Sequence, residues 1–212
     1  MRRVLLIGDG KSDVGEGRRP RHAVASTPAV RPEREGAIHV LLRRSLMETR
    51  GRRDVAFVEL LPRSLGWRSG WHGLIKDLRG EPHGRAGTGD PAFGPYVGPH
   101  AVDAAVIVCD SEGDDPSRVA HELQGAAPRG LRGVPRVIVG VAHPCLEAWL
   151  LAESGARTRA ADELKRTLAA QFPAAKSRRG KCDVAGQVDL NWLRLAFPEF
   201  AAVVEELATI AP

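Results

Sequence analysis

Apolar positions along the chain follow two rhythms. Four short runs, at residues 3–7, 54–61, 104–109 and 134–142, are dense in Val, Ile, Leu and Ala and carry no polar alternation. Runs of this length bounded by Gly, Pro or charged residues predict strands buried on both faces. Elsewhere apolar residues recur every three to four positions. Ile38, Leu41, Leu42 and Leu46 predict a helix over 32–50, stopped by Gly51, and Trp67, Trp71, Leu74, Ile75 and Leu78 predict one over 64–80. Further helices are expected over 116–125, from 143 to 151 with Pro144 in the first turn, and over 160–170, 187–197 and 198–210. Strands alternating with helices predict an α/β fold, a mainly parallel sheet flanked by helices.

Residues 14–32 and 81–100 are rich in Gly, Pro and Arg and have no period, so both read as long loops. Residues 173–181 read as a basic connector carrying Lys176, Arg178, Arg179 and Lys181. The expected organisation is an α/β core over 1–155 and a helical C-terminal extension over 156–212 packed on it.

Composition narrows the setting. No apolar run reaches the roughly 18 residues a membrane span needs, and the apolar stretch after Met1 is too short for a signal peptide. Three widely spaced cysteines, Cys109, Cys145 and Cys182, fit no disulfide frame or zinc ribbon, so a reducing, cytoplasmic location is expected. Charge is uneven. Residues 1–80 hold 17 Lys and Arg against 9 Asp and Glu, a net +8, while residues 81–212 carry a net −3. A basic half beside acidic clusters suits a polyanion and a cation, and Arg-rich coding alone gives the same excess.

The acids sit in telling places. Asp9 leaves the first strand, Asp110 and Glu112 leave the third with Asp114 and Asp115 close behind, and Glu147 follows the fourth. Ligands of open parallel sheets sit beyond the carboxyl ends of strands. Carboxylates gathered there suit a hard cation, Mg²⁺ or Mn²⁺. Plainer readings stand beside this one. The acids after residue 109 make a solvated turn whose Asp115 or Ser117 caps the next helix, and Glu147 gains from a helix dipole in its first turn. Asp13 is a loop cap or a ligand. His143 is a turn residue or a general base, Cys145 a buried thiol, and Trp67 and Trp71 are core or a stacking platform. The glycines after the first strand match neither a P-loop nor a dinucleotide fingerprint, and the Asp-x-Asp nucleophile motif of haloacid-dehalogenase-like phosphatases is missing.

Taken together these segments resemble a family. Asp9-Gly10-Lys11-Ser12-Asp13 resembles the Glu-Gly-x-Ser/Thr-Asp/Glu opening of Toprim domains, and Asp110-Ser111-Glu112 their Asp-x-Asp motif. His143-Pro-Cys-Leu-Glu147-Ala-Trp-Leu-Leu is similar to segments of RloB-like proteins and of a Toprim-like bacterial family of unknown function, related to OLD-type Toprim nucleases and found near defence and mobile-element ATPases. Pro173-Ala-Ala-Lys176 and Pro198-Glu-Phe200 resemble that family's closing segments. Asp9 stands where the family usually has Glu, and Glu112 where it has Asp. The resemblance implies a Toprim-like (Rossmann-like) fold. It further implies divalent-metal-dependent cleavage of nucleic-acid phosphodiesters, in defence against foreign nucleic acid. Asp9, Asp13, Asp110, Glu112 and Glu147 would hold Mg²⁺ or Mn²⁺, Asp110 and Glu147 would serve catalysis, and Lys176 would contact phosphate. A nucleic-acid substrate and an ATPase partner follow from it. A catalytically degenerate partner of an ATPase and a small-molecule phosphohydrolase are the rival functions.

Overall fold

The computed structural model describes residues 1–8, 29–51, 54–58, 70–79, 102–131, 133–152 and 155–210. Its centre is a four-stranded sheet of β1 (Arg2–Gly8), β2 (Val55–Phe57), β3 (Ala104–Asp110) and β4 (Val137–Ala142). The order is β2-β1-β3-β4 and every pair is parallel. β1 and β3 are central and shielded on both faces, which is why they read as unbroken apolar runs. Along β1, Val4 and Leu6 enter one core and Leu5 and Ile7 the other; β3 divides in the same way, Val106 and Val108 against Ile107 and Cys109.

Helices cover both faces. On one lie α1 (Ala37–Arg50), α4 (Leu146–Leu151), α5 (Ala161–Gln171), α6 (Arg178–Ala185), α7 (Leu190–Ala196) and α8 (Pro198–Ala208); on the other lie α2 (Gly70–Arg79) and α3 (Pro116–Gly130). The chain thus leaves β1 toward one face and β3 toward the opposite face. The crevice between the carboxyl ends of these two strands is the topological switch point. Among the described residues no helix is long and apolar enough to cross a membrane.

The helices beyond residue 155 join the larger of the two cores rather than forming one of their own. Leu164, Leu168, Val184, Leu193, Phe200, Val203, Val204 and Leu207 bury against the same cluster as Val4 and Val106. Trp149 is fully buried and meets Phe200 edge-on, ring centroids 5.1 Å apart. Such a pair adds about 0.5–1.5 kcal/mol beyond its buried area. Gly140 of β4 permits the close approach of α8, since a Cβ there would stand 2.6 Å from a methyl of Val203. Arg44 of α1 donates to the carbonyls of Ala185 (2.7 Å) and Val188 (3.0 Å), fastening the C-terminal helices to the first one.

Several boundaries differ from the sequence reading, each for a local reason. Residues 32–34 form a 3₁₀ turn, and α1 starts only after Gly36, where the Gly36 amide donates to His39 Nδ1 at 3.2 Å. α3 runs five residues past Gly125 and through Pro128, because Ala126, Ala127 and Gly130 bury against α2 and packing outweighs the lost amide. Pro144 precedes α4 instead of opening it and follows a cis peptide bond. The basic connector is structured: a 3₁₀ turn over Pro173–Lys176 leads into α6, whose N-cap Ser177 accepts from the Gly180 amide at 3.0 Å. Trp71 is core, 1 % exposed, while Trp67 and the loops expected over 14–32 and 81–100 fall wholly or mainly outside the described residues.

His39 sets an acid limit on this fold. It is 2 % exposed and packs edge-on against Phe57. Burial first, and the Arg43 guanidinium second, lower its pKa to about 3. The folded state keeps this imidazole neutral where the unfolded chain takes up a proton. The stability linked to it is therefore complete above about pH 6.5 and is lost as pH falls toward 3, by up to about 1.4 kcal/mol per pH unit. Urea unfolding at pH 7.5, 6.0 and 5.0 is expected to show this decline, with a flatter profile in His39→Gln.

Candidate functional site at the carboxyl edge of the sheet

The exits of β3 and β4 are joined beyond the strands themselves. Asp110 pairs with Ala142 in the last register position, the Ser111 amide donates to the Ala142 carbonyl (3.0 Å), and the Glu112 amide donates to that of Pro144 (3.2 Å). Two segments far apart in sequence therefore leave the sheet as one unit. Asp110 Oδ1 accepts from the Leu146 amide at 2.7 Å. The N-cap residue of α4, Cys145, offers no side-chain acceptor, so the neighbouring strand supplies the cap. On the other side of β3, β1 ends at Gly8, paired with Val108, one residue before Asp9. Asp9 and Asp13 lie outside the described residues.

Glu147 sits in the first turn of α4, 5 % exposed, with its Oε1 2.9 Å from Lys181 Nζ. Burial opposes the charge on Glu147. The Lys181 ammonium, through attraction and the hydrogen bond, more than offsets that and holds the carboxyl below its usual range. Oε2 is buried and has no hydrogen-bond partner among the described residues. Lys181 is aimed by α6, which is seated on the preceding turn at Gly180, where any side chain would collide with the Ala174 carbonyl. Between the two acids lies Cys145. Burial, then the charges of Glu147 and Asp110, push its thiol up to about 12, so it is a protonated thiol and no nucleophile at neutral pH.

The other acids after β3 have separate partners. Glu112 has φ 53°, and its carboxylate occupies the space over Gly70 at the start of α2, where a helix N-terminus favours an anion. Asp114 accepts from Trp71 Nε1 at 3.2 Å and pairs with Arg118, which lies over the Trp71 ring. Asp115 caps α3 through the Ser117 amide at 2.9 Å. Asp115 is thus the N-cap of the plainer reading, whereas Asp114, expected to be solvated or capping, instead ties α2 to α3 through Trp71 and Arg118. The buried Ser111 hydroxyl meets His143 Nδ1 at 2.8 Å.

The expected site residues thus divide. Asp110 engages the start of α4 and Glu147 engages Lys181, both near enough to Cys145 to raise its thiol, while Glu112 turns toward α2. Lys176 ends the 3₁₀ turn before α6 and is exposed; the ammonium that reaches Glu147 belongs to Lys181, five residues later. The sequence offered one signal for this, the Ser177-x-x-Gly180 cap that starts α6 inside a stretch read as a connector. Among the described residues no group of three His, Cys, Asp or Glu side chains stands close enough to hold a metal ion. Asp9 and Asp13, the other acids expected at the metal site, lie outside the described residues. Compared with protein-family models, with curated proteins and with solved structures, the chain matches none.

The Glu147–Lys181 pair makes a sharp test of this geometry. Lys181→Met leaves a buried carboxylate uncompensated and is expected to cost about 3–5 kcal/mol of stability. Adding Glu147→Gln to that variant removes the stranded charge and should recover most of the loss, as measured by chemical unfolding at pH 7.

Proposed function

We propose that the carboxyl edge between β1 and β3 is a phosphoester site, and that the protein is a Toprim-like, divalent-metal-dependent nuclease acting in defence against foreign nucleic acid. The observation that supports the reading is the bond from the Leu146 amide to Asp110, which ties the exit of β3 to the first turn of α4, where Glu147 lies, one strand away from the switch point where the chain continues into Asp9. Open α/β sheets bind ligands at that place. Asp9, Asp110 and Glu147 would hold Mg²⁺ or Mn²⁺. A bound cation supplies charge that offsets the phosphate oxygens and acidifies a water molecule.

The chain's own residues have definable parts. Asp110 joins the edge to the start of α4, so its position is tied to that of Glu147. Glu147 keeps its charge in a buried setting because Lys181 stands beside it. The excess of arginine in the first 80 residues would supply positive charge for a polyanion.

One observation favours a second reading. Lys181 already neutralises Glu147, and the Leu146 amide already engages Asp110, which is what a catalytically degenerate partner of an ATPase would retain for stability. Asp110→Asn separates the two, because Asn serves nearly as well as Asp as an N-cap acceptor. The nuclease reading expects Mn²⁺-dependent cleavage of DNA or RNA to drop by about a hundredfold or more in Asp110→Asn, with melting temperature nearly unchanged. Calorimetry should record Mn²⁺ binding to the wild-type chain and its weakening in the variant. No metal binding by the wild type, with an ATPase still co-purifying with both proteins, would establish the degenerate form instead. Affinity for nucleic acid should fall steeply between 50 and 200 mM salt, whereas binding of a small phosphate ester should change little.

A further inference from the structure

A second feature of the carboxyl edge lies on the β4 side. A cleft of about 640 Å³ opens between the turn at Glu112 and Gly113, the His143–Pro144 pair, and the stretch from Arg157 to Ala161 that leads into α5. Pockets that take small ligands typically measure roughly 300–1,000 Å³.

His143 is held there in a defined state. The Ser111 hydroxyl is fully buried, 2.8 Å from His143 Nδ1 and 3.3 Å from the Pro144 carbonyl. A carbonyl can only accept, so the hydroxyl proton is assigned to it, and Nδ1–H donates to the hydroxyl oxygen. Nε2 is then the bare nitrogen of the neutral ring, and no described residue engages it. A base whose far nitrogen is fixed by a buried group is the arrangement used to aim an imidazole at a ligand.

The opposite wall is built of two guanidiniums, each anchored by a carboxylate. Arg157 is anchored through Nη1 alone, to the Ala196 carbonyl (3.3 Å) and Glu199 (3.2 Å), and lies over the Phe197 ring; among the described residues Nε and Nη2 are unengaged. Arg159 is anchored to Glu163 (2.8 Å) and Thr167 (2.5 Å). The acid on the cleft's rim, Glu112, carries its carboxylate over Gly70 at the start of α2. Anchored guanidiniums lose little freedom when they meet an anion, and their planar donor fork suits phosphate oxygens.

We propose that this cleft is a phosphate-group subsite, with His143 Nε2 and the open Nε–Nη2 edge of Arg157 as its direct contacts. The ligand class is a phosphate monoester, such as the terminal phosphate of a nucleotide or of a nucleic-acid end. One proton is shared between His143 Nε2 and a phosphate oxygen. The choice of phosphate rests on the phosphoester reading above; the cleft and its open nitrogens do not.

The test uses the full chain and inorganic phosphate at low ionic strength. Nuclear magnetic resonance of the histidine side chains is expected to show a saturable shift at His143, with half-saturation in the range of about 1–10 mM. His143→Asn retains a donor for Ser111 but lacks Nε2, and Arg157→Gln lacks the guanidinium. Each should weaken phosphate binding by calorimetry about tenfold, with melting temperature as the check on folding. Absence of a saturable shift at His143 up to about 50 mM phosphate overturns the proposal. So does unchanged phosphate affinity in both folded variants. Phosphate binding at His143 in a protein that cleaves no phosphodiester keeps the cleft and removes the nuclease reading. Cleavage that continues undiminished in His143→Asn, with no shift at His143, removes the cleft alone.

Discussion

The bond from the Leu146 amide to the Asp110 carboxylate organises the carboxyl edge of this protein. One oxygen of a strand residue stands in for the missing cap of a short helix belonging to the next strand. Six residues make a marginal helix at best, and its amides cannot be left unpaired in a buried place. The ladder that continues through Ser111 and Glu112 holds the two exits in register, and Glu147 and His143 inherit their positions from it.

Burial decides what those positions can do. A carboxylate as enclosed as Glu147 stays charged only beside a cation, and here the protein provides one from α6. Burial first, and the negative charges of Glu147 and Asp110 second, keep Cys145 protonated, so its thiol is no nucleophile. His39 follows the opposite logic: burial first, and the Arg43 guanidinium second, hold its imidazole neutral, and the fold loses stability in acid for that reason. Electrostatics at each site follows from which elements the fold places around it, not from the residue type.

Much of the fold was legible along the chain. The four strands stand where the unbroken apolar runs lie, because a parallel sheet covered on both faces leaves no polar alternation to mislead the reading. The helices with clear three-to-four spacing are likewise present. The errors fall where a local signal conflicts with packing. The helix expected over 116–125 continues through Pro128 to Gly130, because the residues around that proline are buried against α2. Residues 173–181 read as a connector because basic residues obscure the spacing of Val184 and Ala185, which bury α6. Lys176 is marked by a motif, while Lys181, the residue that meets Glu147, is marked only indirectly, by the Ser177 cap that starts its helix.

The sequence by itself determined the class of fold, the parallel sense of the sheet, and the delivery of acids to strand exits. These depend on short-range periodicity and on which residue follows a strand, and both are written locally. Only the tertiary structure decided which acids meet: Asp110 with α4, Glu147 with Lys181, Glu112 with the start of α2, and Ser111 with His143. Those pairings span more than thirty positions along the chain. They arise because side chains must find partners when water is excluded, and the partner is whichever group the packing of sheet and helices brings within about 3 Å.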